Sequence, residues 1–177
     1  MSLLLLMIRL PLDMAQRAHG LTGLLKRGYG LRNSPLDATR LHITLFDFKH
    51  HVDLPLELVE LVKAAVGSVA ATPFEVMFDC VAVWPAPRAL VLLSSEEPTQ
   101  LIVFRRKLST ALEEVGLGHM IKPGFTPHIT LMREVEPDSV ENQQVMSFRW
   151  TVRDVALVNS LTGHGRYVEL RRWPLRE

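Results

Sequence analysis

The tetrapeptide His-Ile-Thr-Leu occurs twice in this 177-residue chain, beginning at His42 and at His128, 86 positions apart. In an extended strand the side chains at i and i+2 leave the same face, so each copy sends a His and a Thr one way and an Ile and a Leu the other. The apolar pair fits a core and the polar pair fits a cleft. Two such strands brought together put the imidazoles of His42 and His128 and the hydroxyls of Thr44 and Thr130 around one small anionic group. That set suits acid–base chemistry on a phosphate with no metal. The rival reading is a structural duplication in which each His merely hydrogen-bonds within its own strand.

The same offset aligns other features. Leu4, Leu5 and Leu6 fall on Leu90, Val91 and Leu92, each in a short apolar run of strand character. Gly30-Leu31 falls on Gly116-Leu117. Between these markers the pattern predicts helices over 13–27 and 98–115. In the second, Leu101, Phe104, Leu108, Ala111, Leu112 and Val115 make an apolar stripe, and Arg105-Arg106-Lys107 reads as its solvated side. Gly116 stands where a helix C-cap belongs, while Gly20 and Gly23 blur the bounds of the first helix. Each half therefore predicts strand, helix, glycine turn, long loop and His-x-Thr strand. The period is too long and the copies too few for a solenoid.

Elsewhere, an amphipathic helix is predicted over 56–70. Residues 74–83 and 89–93 read as a strand pair around Pro85 and Pro87. An acidic loop follows over 134–142, then two strands over 147–158 and 166–172 joined through Gly163-His164-Gly165. The expected class is α+β, one domain over 1–177 made of two joined lobes with a pseudo-twofold repeat.

A hydrophobic fraction of 47% and a charged fraction of 22% describe an ordinary globular chain. A net charge of +1 argues against coating long nucleic acid by bulk electrostatics, but allows one phosphate or one RNA end in a pocket. The single Cys80 cannot form an internal disulfide, which fits a cytoplasmic setting. The run from Leu3 to Ile8 has no basic residue before it, breaks at Arg9 and is too short to span a bilayer, so it reads as a buried strand and no membrane partner is expected.

The most specific stretch is Thr126-Pro127-His128-Ile129-Thr130-Leu131-Met132-Arg133. With its Pro before the second His and its Arg five residues after, and with chain size and motif positions to match, the sequence resembles the 2H phosphoesterase superfamily. Within it, the RNA 2',3'-cyclic phosphodiesterase and 2'-5' RNA ligase-like family is the nearest likeness. The resemblance implies two antiparallel sheets facing a central cleft with helices packed outside. It also implies hydrolysis of 2',3'-cyclic phosphate ends to 2'-phosphates, no cofactor, and reverse 2'-5' ligation in the same site.

Under that resemblance His42 and His128 are the acid and base, with Thr44 and Thr130 as hydroxyl donors and Arg133 as a substrate-binding residue. Five residues from His128 is odd parity for a regular strand, so Arg133 needs a twist, a bulge or a long reach to face the cleft. The substrate alternatives are a small cyclic nucleotide phosphate, such as an ADP-ribose cyclic phosphate, and simple RNA-end binding without turnover. No obligate protein partner is expected.

Other residues carry weaker expectations. His50-His51 lacks a third metal ligand at suitable spacing and reads as a solvated loop. His164 reads as a loop residue. Phe46 and Phe48 alternate along one strand and read as core rather than as base-stacking groups. Trp84, Trp150 and Trp173 read as core or cleft wall.

Overall fold

A computed structural model describes residues 1–176 of the chain. It opens with β1 (Ser2–Arg9), in which Leu4, Leu6 and Ile8 enter the main core while Leu5 and Met7 enter a smaller cluster on the other face. A strand covered on both sides needs such a continuous apolar run. Helix α1 (Leu12–Tyr29) ends at Gly30, whose φ of 64° is the left-handed conformation of a helix stop. It passes Gly20 and Gly23 unbroken, because Met14, Ala15, Ala18, Thr22 and Leu25 form its buried face and neither glycine belongs to it.

There follow β2 (His42–His51), α2 (Leu56–Gly67), β3 (Phe74–Pro85), β4 (Arg88–Leu93) and α3 (Thr99–Glu114). Gly116, at φ 85°, turns the chain after α3 as Gly30 does after α1. The chain closes with β5 (Ile129–Arg133), β6 (Gln143–Val152), β7 (Asp154–Leu161) and β8 (Arg166–Pro174).

Among the described residues eight strands form one antiparallel sheet in the order β6-β3-β4-β5-β2-β1-β7-β8. The unit β4-α3-β5 repeats β1-α1-β2, as the sequence offset predicts. The two expected sheets appear as two four-stranded halves joined at the centre by one pairing, Ile43 with Ile129. Both inner strands would otherwise carry unpaired edges, and this contact begins to satisfy them.

The expected strand over 147–158 is in fact two strands. Phe148, Trp150 and Val152 face the core from β6, Val155 and Leu157 from β7, and the alternation slips by one residue at Arg153. Strand β6 lies at one edge of the sheet while β7 lies next to the other. A flat sheet would hold them more than about 20 Å apart at the usual strand spacing, yet only Arg153 separates them in the chain. The sheet must therefore curve strongly. Its concave side is the face opposite the main core, since Tyr167 on β8 reaches His42 on β2 across two intervening strands.

Helices α1, α2 and α3 and the inward side chains of both halves share one large core, with Phe78, Ile43, Ile129 and Leu92 essentially inaccessible. The halves interlock, because Arg17 on α1 lies over the Phe148 ring of β6 and its guanidinium donates to the Ser147 carbonyl. Among the described residues no helix is long and apolar enough to cross a membrane.

Candidate active site

The antiparallel pairing of Ile43 with Ile129 decides what stands beside what. One residue back on β2 opposes one residue on along β5, so His42 stands beside Thr130 and Thr44 beside His128. Both isoleucines are buried in the main core, which leaves all four polar side chains on the concave face. The two imidazoles are diagonal neighbours, a relation that sets residues about 7–8 Å apart.

Each ring is fixed in the same way. His42 Nδ1 lies 2.7 Å from the Arg40 carbonyl and His128 Nδ1 lies 2.9 Å from the Thr126 carbonyl, in both cases two residues back along the chain. A carbonyl only accepts, so Nδ1–H donates and Nε2 is the basic nitrogen of each neutral ring. His42 Nε2 lies 3.0 Å from the Thr44 hydroxyl, which donates to it in that tautomer. The expectation of a bond within the strand thus holds for the first motif, and it aims the ring as well as satisfying it.

The surroundings of the two rings differ. Burial is the main cause that lowers the His42 pKa from its ordinary value of 6.5 to about 4, and the charges of Arg133, Arg9 and His128 add to the fall. The hydrogen bond to the Arg40 carbonyl opposes it. His128 is also lowered by burial, against the pull of its bond to the Thr126 carbonyl. Both rings are therefore held towards the neutral form.

A bulge solves the parity problem of Arg133. Thr130 pairs with Val91 and Met132 with Leu90, so Leu131 is the extra residue and the alternation resets after it. Arg133 then pairs with Ala89, which lies in the concave-face cluster with Val91. Its backbone carbonyl accepts from the Asn33 amide at 2.9 Å, which anchors the strand end. The first half has the same device: Met7 pairs with Thr44 and Leu6 with Phe46, leaving Leu45 as the extra residue.

Several residues of the site escape the sequence. Tyr167 sets its ring edge-on to His42 at 5.7 Å, and the guanidinium groups of Arg9 and Arg40 lie 5.9 and 5.3 Å from its centroid. Trp84 packs on His128 with centroids 4.3 Å apart. Arg9 opposes His42 across the β1–β2 pair. The only signal for Arg9 is its parity with Leu5 and Met7, and Tyr167 arrives through sheet curvature, which no local pattern encodes; Trp84, expected as core or cleft wall, stands against His128. Arg40 and Arg133 put cationic charge around the rings, as an anion favours, while Arg9 has the Glu169 carboxylate 3.8 Å away.

Phe46 and Phe48 are buried in the main core, as expected. His50 is exposed on β2, and His164 is exposed in the β7–β8 turn. Among the described residues no three His, Cys, Asp or Glu side chains gather where one ion could be held. Trp150 is core, stacked on Phe78, and Trp173 is half-buried against it. The expectation that Arg105 lies on the wet side of α3 is wrong. Its Nε donates to the Leu45 carbonyl at 3.1 Å and its guanidinium lies 4.5 Å from the centroids of both Phe46 and Phe125. The spacing Leu101, Arg105, Leu108, Leu112 puts it within the buried stripe. A separate cavity of about 580 Å3, lined by Tyr29, Arg32, Arg88 and Glu134 among others, opens where α1 ends, with neither imidazole in its wall.

Comparison with known proteins bears on this geometry. A family model described as the 2'-5' RNA ligase superfamily matches residues 15–164, which takes in both motifs. A crystal structure of a phosphoesterase superposes with a TM-score of 0.82 at 23% identity, covering 100% of each chain. LigT of Escherichia coli complexed with 3'-AMP gives 0.82 at 23% identity over 98% of each chain. TT0787 of Thermus thermophilus gives 0.76 at 21% identity over 98% of each chain. At these identities the likeness is one of fold. No curated protein matches by sequence.

Proposed function

The chain belongs to the 2'-5' RNA ligase superfamily, the 2H phosphoesterases, and from that premise we propose that it opens 2',3'-cyclic phosphate ends of RNA or of nucleotides to 2'-phosphates. The observation that carries this reading is the pair of imidazoles on adjoining strands, each with Nδ1 tied to a carbonyl two residues back. In the proposed step, water attacks phosphorus and gives its proton to one Nε2. The P–O3' bond breaks, and the other imidazolium protonates O3'. Burial lowers both rings, His42 to about 4, so either Nε2 is a basic acceptor until a proton is taken up. Thr44, Thr130 and Arg133 stabilise the charge that builds on the non-bridging oxygens. The reverse step, attack by a 2'-hydroxyl, would use the same groups and give 2'-5' ligation. The proposed unit is one bilobal domain over 1–177, acting in the cytoplasm.

The ligand chemistry of a neighbour supports the substrate class. The E. coli protein was solved with 3'-AMP, a nucleotide whose phosphate sits on the ribose ring. The test is an assay of the purified protein in EDTA against 2',3'-cyclic mononucleotides, short RNAs with cyclic phosphate ends and an ADP-ribose cyclic phosphate. Turnover to 2'-phosphates without metal is expected. Turnover confined to the ADP-ribose compound would move the substrate to the small-molecule class. Binding of RNA ends with no turnover would make the chain a binding module. Loss of activity in EDTA with recovery on adding one divalent ion would replace the metal-free mechanism.

Arg133→Ala is expected to lower kcat/KM on a cyclic phosphate about tenfold or more, the scale of one charge-assisted hydrogen bond. An unchanged kcat/KM would remove Arg133 from the site.

A further inference from the structure

Resting on the two-His reading of the site, we infer that Arg105 is a positioning residue that sets the β2 bulge and the His128 loop relative to each other. Three contacts converge on it. Its Nε holds the Leu45 carbonyl at 3.1 Å, and its guanidinium plane is shared between Phe46 and Phe125, each centroid 4.5 Å away. Among the described residues no carboxylate pairs with it. A half-buried charge held by two rings and one carbonyl is costly to place for packing alone. Its contacts fall on the two segments that carry the motifs.

Leu45 is the extra residue of the β2 bulge, between Thr44 on the cleft face and Phe46 in the core. A slip of one residue there would exchange the faces on one side of the bulge, so that His42 and Thr44 could not both face the cleft while Phe46 and Phe48 stay in the core. The bulge carbonyl is the group most in need of a partner outside the ladder, and Arg105 provides it. On its other side Phe125 immediately precedes Thr126, whose carbonyl fixes the His128 ring. One guanidinium thus ties the aim of Thr44 to that of His128.

The second half repeats the arrangement by another route. Position 19 corresponds to position 105 at the offset of 86. His19 Nδ1 bonds the Leu36 carbonyl at 2.9 Å, and the Leu36 amide donates to the carbonyl of Leu131, the other bulge residue, also at 2.9 Å. Both bulges are therefore held from the equivalent helix position, once directly and once through Leu36.

The test replaces Arg105 with Lys, which keeps the charge but can neither lie flat between two rings nor donate from the Nε position. On a 2',3'-cyclic mononucleotide, kcat is expected to fall about 10- to 100-fold, the cost of a displacement on the ångström scale, with KM within about threefold. Because Arg105 acts in part through Thr44, adding R105K to Thr44→Ala should cost less than the product of the two single losses. An unchanged kcat, or fully additive losses, overturns the proposal.

If R105K does not fold, Phe125→Leu, which leaves β2 untouched, is expected to give the same fall in kcat. Full activity in that variant, or failure of both to fold, assigns Arg105 to folding and overturns the positioning role. If the wild type turns over no cyclic phosphate, the functional reading fails by itself. Inorganic phosphate titrated against the His42 and His128 ring NMR signals then decides: R105K should weaken the His42 response, and an identical response overturns the inference.

Discussion

Replacing His42 or His128 with Ala is expected to lower kcat/KM on a 2',3'-cyclic phosphate by at least about 10²-fold in each case, because each positioned proton-transfer group contributes about 10²–10⁴-fold. The double variant should lose little more than the worse single one. Once one partner is gone the other has no proton transfer to complement, so the residues act as a unit. Thr44 and Thr130 occupy the neighbouring positions of β2 and β5, and we propose them as members of the same unit. Losses that multiply in the double variant would mean two independent contributions. Near-wild-type turnover in either single variant would reject paired catalysis.

The second large effect is on pH. If one imidazole must be neutral and the other protonated, kcat/KM follows a bell whose limbs are macroscopic values of the coupled pair. His42 is lowered to about 4 and His128 is lowered from 6.5, so the maximum should lie below pH 6.5. Above it kcat/KM should fall about tenfold per pH unit, roughly 10²-fold between pH 6.5 and 8.5. A bound phosphate anion favours the charged rings, so the kcat profile should lie at higher pH than that of kcat/KM.

The sign of the linked stability effect follows from the same values. Below pH 6.5 the unfolded chain takes up a proton at position 42, whereas the folded chain resists it until about pH 4. Stability contributed by the neutral ring is therefore present above pH 6.5 and lost as pH falls towards 4. His42→Ala should flatten the melting temperature over that window. A kcat/KM that rises from pH 7 to 9 would contradict the whole scheme.

What the sequence discloses here is whatever repeats or alternates. The offset between the motifs locates β1 and β4, α1 and α3, and β2 and β5, with the glycine stops after both helices. The i, i+2 spacing places four polar groups on one face. What it hides is set by departures from regularity and by curvature. The bulges at Leu45 and Leu131 are single unpaired residues within unbroken apolar patterns, yet the second returns Arg133 to the cleft. The division at Arg153 contains neither Gly nor Pro and is marked only by a change of phase in the buried residues. Arg105 is masked by the two charges that follow it, although its spacing from Leu101 and Leu108 fits the buried stripe. Tyr167 meets His42 only because two intervening strands bend.

The lone pairing of Ile43 with Ile129 sits where a local dyad between the two halves would pass. Two identical polypeptides meeting there would form an isologous contact, and every side chain would be duplicated across the axis. The ligand proposed above, a ribose phosphate, has no such symmetry, so half of the duplicated groups would face its wrong end. Carrying both halves on one chain releases them from that obligation. One imidazole can sit behind a tyrosine flanked by two arginines and the other beside a tryptophan, so that a nearly palindromic scaffold reads a ligand with a head and a tail.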